Sequence, residues 1–318
     1  MTPRITIVIA TRNRFDELAR AIRSCFAQTG VPFEVLVIDD ASDDDTAAAV
    51  ARDFPQARLL SFPTRAGLIV RRNNGFREAR GEFVLSLDDD AYFTSPDTLV
   101  QVCQLFDQEA GTAAWALQYF EPSSQAAMPA TPTGTPVRSY VGCAHAIRRS
   151  VAEQMGGYPG LLVHQGEERD LCIRLIDQGW DVRFAQTPPI VHLCSVRREV
   201  GRIGYYGYRN LMLFNWMRTP TRYLIPRLGV DIAQLLIYRF SFRLIAIRLW
   251  SVACGFACML KYGSERRPVS LAAYQKYRSL RGHGPSANPG SVTPPPCSLS
   301  VESAGGVGFP EACSRVEG

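Results

Sequence analysis

Over the first ninety residues the chain alternates between two hydrophobic rhythms. Residues 5–10 (ITIVIA) are β-branched and uninterrupted, the pattern of a strand buried on both faces. From Phe15 to Gln28 the spacing becomes helical: Phe15, Leu18, Ala19, Ile22 and Phe26 share a face, and Gly30 stops the helix. FEVLVIDD (33–40) predicts a second strand ending in paired acids, Thr46 to Arg52 a short helix, and ARLLSF (57–62) a third strand. Leu68 to Ala79 predicts another long helix, and EFVLSLDDD (82–90) a fourth strand ending in three acids. Such alternation implies a parallel sheet with right-handed crossovers.

After Pro96 the pattern loosens. Asp97 to Gln108 predicts a helix, 113–120 a strand, and 121–136 a polar loop rich in Pro, Ser, Thr and Ala. VRSYVGCAHAIRR (137–149) predicts a strand giving way to a helix that ends at Gly156-Gly157. Glu167 and Glu168 open a further helix carrying Leu171, Leu175 and Ile176, which Gly179 stops. Asp181–Phe184 and Ile190–Leu193 then predict two short strands, the second bearing His192. Residues 204–217 and 221–262 are long apolar stretches studded with arginine. Leu244–Leu260 is too short and, with Arg248, too charged to predict a membrane span. It is either packed on the preceding domain or laid in a bilayer interface, with Arg239 and Arg243 on one polar face and Arg248 away from it. From 283 onward the Gly/Pro/Ser-rich composition predicts a disordered tail. The expected organisation is therefore a domain over 1–218, a basic amphipathic helical extension over 219–282, and the tail over 283–318.

Composition narrows the classes. The chain has 318 residues, 46% hydrophobic and 20% charged, which excludes disordered, collagen-like and small disulfide-scaffold chains. Nine cysteines, an odd number without a CxxC pair, point to reduced thiols in a cytosolic compartment, and no signal-peptide pattern opens the sequence. The only lysines are Lys261 and Lys276, which excludes a Walker or Schiff-base lysine in the first two thirds. The net charge of +5 hides a split: residues 1–196 hold 18 Arg against 24 acids, whereas 197–282 hold 16 Arg and Lys against Glu199, Asp231 and Glu265. An acidic front suits a hard cation; a basic, apolar back suits an anionic surface, although arginines that merely solvate long helices would read the same way.

Ligands of open α/β sheets bind beyond the carboxyl ends of the strands. Three strands end there in polar groups: Ala10-Thr11-Arg12-Asn13, Asp39-Asp40 and Asp88-Asp89-Asp90. Ordinary turn chemistry explains one such cluster more readily than three on one edge. The leaving pyrophosphate of a nucleotide-diphosphate donor needs its charge neutralised. Without lysine in the first 260 residues, a divalent cation, Mg2+ or Mn2+, held by Asp88 and Asp90 is the economical answer. Arg71 and Arg72 add bidentate partners for phosphate or base.

The stretches ITIVIATRNR, FEVLVIDDASDDDT, RAGLIVRRNNGFREARGEFVLSLDDDAYF, GEERDLCIRLIDQGW and VHLCS, spread from residue 4 to about 195, resemble family 2 glycosyltransferases of the GT-A fold. Each motif is weak alone; their order and spacing are specific. The resemblance implies a Rossmann-like, mostly parallel sheet flanked by helices and an inverting transfer of sugar from a nucleotide-diphosphate donor. Thr11 and Asn13 would line the nucleotide pocket, Asp40 would read the base, and Arg72 would contact the nucleotide. Asp88 and Asp90 would form the DxD pair for ribose and metal, with Asp89 beside them in the nucleotide-sugar pocket and His192 as a further metal ligand or phosphate contact. Glu168, the second acid of the Glu167-Glu168 pair, would be the catalytic base, and Asp170 is the competing position. Ala10 and Arg12 depart from the proline and aromatic usual in the family, near the nucleobase pocket. GYYGYRNLMLFNWMRTP resembles the RN-containing helix of bacterial members acting on surface polysaccharides. It implies a glycan or lipid-linked acceptor and a cytoplasmic protein in peripheral contact with an anionic membrane on its inner face; no nucleic-acid partner is expected.

Three rivals share some of these features. A nucleotidyltransferase also uses an acidic strand end and metal, but wants a Gly-rich loop after the first strand, and ATRNRFDE has no glycine. A non-catalytic nucleotide-sugar-binding homologue would not need Asp88, Asp90 and Glu168 together. A phosphatase using the LDDDAYF aspartates leaves Asp40 and the GEERD helix without work.

Overall fold

The computed structural model describes residues 2–122, 131–193, 200–237 and 242–282. Its centre is an eight-stranded mixed sheet in the order β3-β2-β1-β4-β7-β6-β8-β5. Strands β1 (Ile5–Thr11), β2 (Phe33–Asp39), β3 (Arg58–Ser61) and β4 (Phe83–Asp88) run parallel. Side chains of β1, β4 and most of β2 are buried on both faces, as uninterrupted apolar runs require, whereas the edge strand β3 is only partly covered. Helices α1 (Phe15–Phe26), α2 (Thr46–Asp53) and α3 (Leu68–Glu78) supply the crossovers. In α1, Leu18, Ile22 and Cys25 are wholly buried; a large apolar side chain such as Leu or Ile contributes about 1.5–3 kcal/mol when fully buried.

The second half departs from the sequence reading in direction and continuity. β4 stops at Asp88, and the next two aspartates turn the chain into β5 (Ala91–Phe93), a short strand the sequence did not announce. Helix α4 (Thr98–Gln108) and strand β6 (Thr112–Phe120) follow as expected. Within 137–149 the strand is β7 (Ala144–Arg148), with helix α5 (Arg149–Gln154) after it, so the residues just after Gly142 form a strand rather than a helix. β7 lies antiparallel to both β4 and β6, which makes the sheet mixed. The two short strands predicted over 181–193 are one strand, β8 (Asp181–His192), preceded by helix α6 (Glu167–Asp177). β8 skips from Ala185 to Ile190 against β6, so the Thr187-Pro188-Pro189 segment bulges out and its prolines cost the ladder nothing. Its end pairs antiparallel with β5, Ala91 opposite His192.

Helices α7 (Val200–Arg218), α8 (Thr221–Ile237), α9 (Phe242–Lys261) and α10 (Leu271–Ser279) complete the chain. Met212, Leu213, Met217, Leu224, Leu228 and Met259 join one core with Leu171 and Leu175 of α6. Tyr274 and Tyr277 of α10 pack with Ile173 and Ile176 on the other side of that helix. The helix bearing the paired glutamates is therefore wrapped by the C-terminal helices. No helix among the described residues is long and apolar enough to cross a membrane. Arg239 and the 283–318 segment lie outside the described residues.

Candidate active site

Strand register puts the three polar ends on one rim: Thr11 stands opposite Asp39, and Ala10 opposite Asp88. The Thr11 hydroxyl donates to Asp89 Oδ2 at 2.9 Å, and Arg14, at the start of α1, bridges Asp89 at 2.8 Å and Asp90 at 3.1 Å. Burial pushes Asp89 up to about 7 despite Arg14. Burial also opposes ionisation of Asp90, but His192 and Arg14 outweigh it and hold that carboxyl well below its ordinary range. Asn13, at φ 54°, bonds the Asp43 backbone N–H through Oδ1 at 2.9 Å and fastens the first loop to the second.

Asp40 accepts from the Ala66 and Gly67 N–H groups at 2.7 and 2.8 Å and from Arg71 Nε at 2.7 Å. Burial raises its pKa, but these donors prevail and keep it ionised below the usual range. Arg71 in turn lies over the Phe62 ring, 3.7 Å from its centroid. Asp40 thus shapes the loop beside the rim, and Arg71 is engaged with it.

Arg72 is the hub. Buried on α3, it donates to Asp88 Oδ1 at 2.6 Å and to Glu167 Oε1 at 3.0 Å, with Glu168 Oε1 at 3.7 Å. Burial works against its charge, yet the three carboxylates hold it firmly protonated. The end of β4 and the start of α6, 79 positions apart from Asp88 to Glu167, meet through this one side chain. Burial first, and the Glu168 charge after it, raise Glu167, one of whose buried oxygens, Oε2, has no hydrogen-bond partner. Glu168 is raised as well, chiefly by burial, although 19% of its side chain remains exposed. The Gly142 backbone passes over both groups: a Cβ there would stand 2.6 Å from Arg72 Nη2 and 2.6 Å from Glu168 Oε1.

His192, at the end of β8, places Nε2 3.1 Å from Asp90 Oδ1 and 3.9 Å from Asp88 Oδ2, with Nδ1 3.2 Å from Glu121 Oε1. Ligand atoms of Asp88, His192 and Cys143 all lie within 4.8 Å of one another. Carboxylate with imidazole is a donor set that fits a divalent cation such as Mn2+. Asp90 faces His192 and Arg14 instead of completing that trio.

Asp170 sits apart from this cluster. Fully buried, it accepts from Arg218 Nε at 2.6 Å and Arg174 Nε at 2.8 Å, locking α6 to the end of α7 and to its own next turn. Both oxygens are engaged, which disfavours it as a competing base. Arg209 and Asn210 of α7 hold the segment before α6: Asn210 Nδ2 donates to the carbonyls of Leu162, His164 and Gln165 at 2.9, 2.7 and 2.7 Å. Arg209 adds the Leu161 and Leu162 carbonyls at 2.6 and 3.1 Å. That segment is strained, with Val163 at φ 63° and Gln165 at φ 69°, and Gly166 at φ 88° takes the left-handed turn into α6 that glycine tolerates.

The architecture has known counterparts. A model described as glycosyl transferase family 2 matches residues 6–156. The chain carries a family 2 glycosyltransferase domain. Succinoglycan biosynthesis protein ExoO of Rhizobium meliloti is 40% identical over 106 residues, covering 33% of this chain and 30% of that protein. The chain therefore spans under a third of that relative's length. Among solved structures, S. aureus TarS 1–349 in complex with UDP-GlcNAc superposes with a TM-score of 0.59 at 15% identity, over 79% of this chain and 80% of the other. The mannosyltransferase PcManGT from Pyrobaculum calidifontis, in complex with GDP-Man and Mn2+, gives 0.52 at 19% identity, over 87% and 86%. The fold of this family 2 domain is the GT-A fold, as the sequence motifs implied.

Sequence reasoning named Asp88, Arg72, Glu167, Glu168 and His192, and the fold gathers all five. It missed Arg14, Gly142, Cys143 and Glu121. Arg14 was visible within TRNR, but nothing in the sequence marked the other three.

Proposed function

We propose that this chain is an inverting glycosyltransferase that moves a sugar from a nucleotide-diphosphate donor to a hydroxyl of a glycan or lipid-linked acceptor. The observation that carries this reading is the Arg72 hub, which sets the donor-side acid Asp88 and the acid pair Glu167-Glu168 in one ion-paired cluster. Thr11, Asn13 and Asp40 shape the loops that would receive the nucleotide, and Asp89 backs them through Thr11. Asp88 and His192 would hold a divalent cation, Mg2+ or Mn2+, with Asp90 steadying the imidazole, and the ion when bound would supply neutralisation of the departing diphosphate.

Glu168 would take the proton of the acceptor hydroxyl. Its partial exposure leaves it reachable, and its burial-raised pKa makes it a stronger base than an ordinary carboxylate. Arg72 keeps that carboxylate oriented, while Asp170 anchors the helix beneath it. A single in-line displacement inverts the anomeric centre, with fixed geometry supplying much of the rate. We read the protein as cytoplasmic and peripheral on the inner face of the membrane, which the basic charge of 197–282 supports.

The test is release of free nucleotide diphosphate from a panel of activated sugars, with and without Mn2+. Metal-dependent release with one donor class, lost in Asp88→Asn, supports the reading; no release from any donor would overturn it.

A further inference from the structure

Helix α9 is apolar on two sides: Cys258 and Met259 enter the core, and a second set of apolar side chains points outward. Leu249, Trp250, Phe256 and Leu260 recur at helical spacing with Ala253 between them, and all are exposed, Trp250 by 55% and Leu260 by 88%. On the neighbouring α8, Ile225 is 75% exposed. In the sequence Arg248 falls away from the polar face of Arg239 and Arg243, which leaves the amphipathicity imperfect. In the structure Arg248 turns inward, buried, and donates to the Leu235 carbonyl at 2.9 Å, so the outer face of α9 from Leu249 to Leu260 is apolar.

The charges around this face are mostly basic. Arg222, Lys261 and Arg267 are exposed near the junction of the α8 start with the α9 end, where Arg266 donates to Thr221 Oγ1 at 3.1 Å. Of the two acids among the described residues of 219–282, Asp231 is buried against Arg227 and Asn215, and Glu265 alone is exposed. An exposed patch of large apolar groups with a basic margin matches a bilayer bearing anionic lipid: the side chains enter the acyl boundary and the cations meet the headgroups.

We infer that the outer face of α9, with Ile225 of α8 and the basic margin, docks this protein on an anionic lipid bilayer. The inference deepens the peripheral-membrane part of the reading above and rests on it. The face also has a route to the chemistry, since α9 packs on α7, whose Arg209 and Asn210 hold the segment leading to Glu167 and Glu168.

The experiment sediments the full chain with vesicles of phosphatidylcholine alone or mixed with phosphatidylglycerol. It compares the native protein with Leu249→Glu/Leu260→Glu and with Lys261→Glu/Arg267→Glu, all exposed positions whose replacement leaves the core intact. The expected result is binding to the anionic vesicles only, weakened about tenfold or more by either double variant. Equal binding to neutral vesicles, or undiminished binding by the Leu249→Glu/Leu260→Glu variant, overturns the inference. So does a dimer seen by sedimentation velocity that this variant disrupts without any vesicle binding, because the face would then belong to a second copy. Donor-induced thermal stabilisation is measured alongside: its absence from native protein and variants alike would count against the sugar-transfer reading and leave the docking result standing.

Discussion

Asn210 offers a test of how the C-terminal helices govern the candidate base. Its amide has two hydrogens and meets three carbonyls, those of Leu162, His164 and Gln165, at 2.7–2.9 Å in a buried setting. The segment it grips includes Val163 at φ 63°, ψ −47°, a strained backbone conformation costing about 1–3 kcal/mol, held because its surroundings over-determine it. Asn210→Ala removes both donors and leaves buried carbonyls unpaired, at about 1–3 kcal/mol for each such group. Arg209 still holds the Leu161 and Leu162 carbonyls, so the expected loss is about 2–3 kcal/mol, a melting-temperature drop of about 5–10 °C. Asn210→Asp, nearly isosteric, should cost more, since it faces the same carbonyls with an acceptor. In nucleotide-release kinetics both variants should lower kcat by about a hundredfold, the price of a displacement near 1 Å at the start of α6, while the donor KM stays unchanged. An Asn210→Asp variant as stable and active as native protein would refute the reasoning, as would a loss confined to donor affinity.

The remaining predictions concern the hub and its supports. Gly142→Ala places a methyl group 2.6 Å from Arg72 Nη2 and Glu168 Oε1, so activity should fall at least about tenfold, with a stability loss of about 1–3 kcal/mol, read by kinetics and thermal denaturation. Burial raises the Glu167 carboxyl to about 8, above its unfolded value, so its stabilising contribution is complete below about pH 4.5 and is lost as pH rises through 8. Melting temperature should accordingly fall across that window, and Glu167→Gln should flatten the slope. Asp170→Leu leaves Arg218 and Arg174 without their buried partner and should cost about 3–5 kcal/mol in denaturant titration. Asp170→Asn, which retains hydrogen-bonding atoms, should keep turnover in the folded fraction.

The parallel half of the fold was legible because strands buried on both faces, such as ITIVIA and FEVLVID, read as unbroken apolar runs, and their acidic ends fall on one rim whatever the loops do. The direction of β7 was not legible: AHAIR looks the same parallel or antiparallel, and only its partners β4 and β6 decide. β5 was hidden because three residues after Asp90 carry no pattern of their own; pairing with β8 makes them a strand. The two prolines of β8 read as a break, and the bulge that accommodates them depends on register with β6. At the site, residue types were readable and partnerships were not. Arg72 looked like a nucleotide contact, yet its partners Asp88 and Glu167 lie 16 and 95 positions away. Asp170, two residues from Glu168, could be judged only once Arg218 was seen to reach it. The arginine-asparagine pair of α7 was recognisable as a motif, and its work of fastening the strained turn before α6 emerged only from the fold.

The central claim is that Glu168 removes the acceptor proton in a cluster where Asp88 and Arg72 serve the donor side. Glu168→Gln tests it most directly, since the amide keeps the shape and removes the base. Measured side by side, sugar transfer should fall by about 10²–10⁴-fold, whereas thermal stabilisation by the donor with Mn2+ should match the native protein. Transfer at a near-native rate, or loss of donor binding together with transfer, would contradict the account.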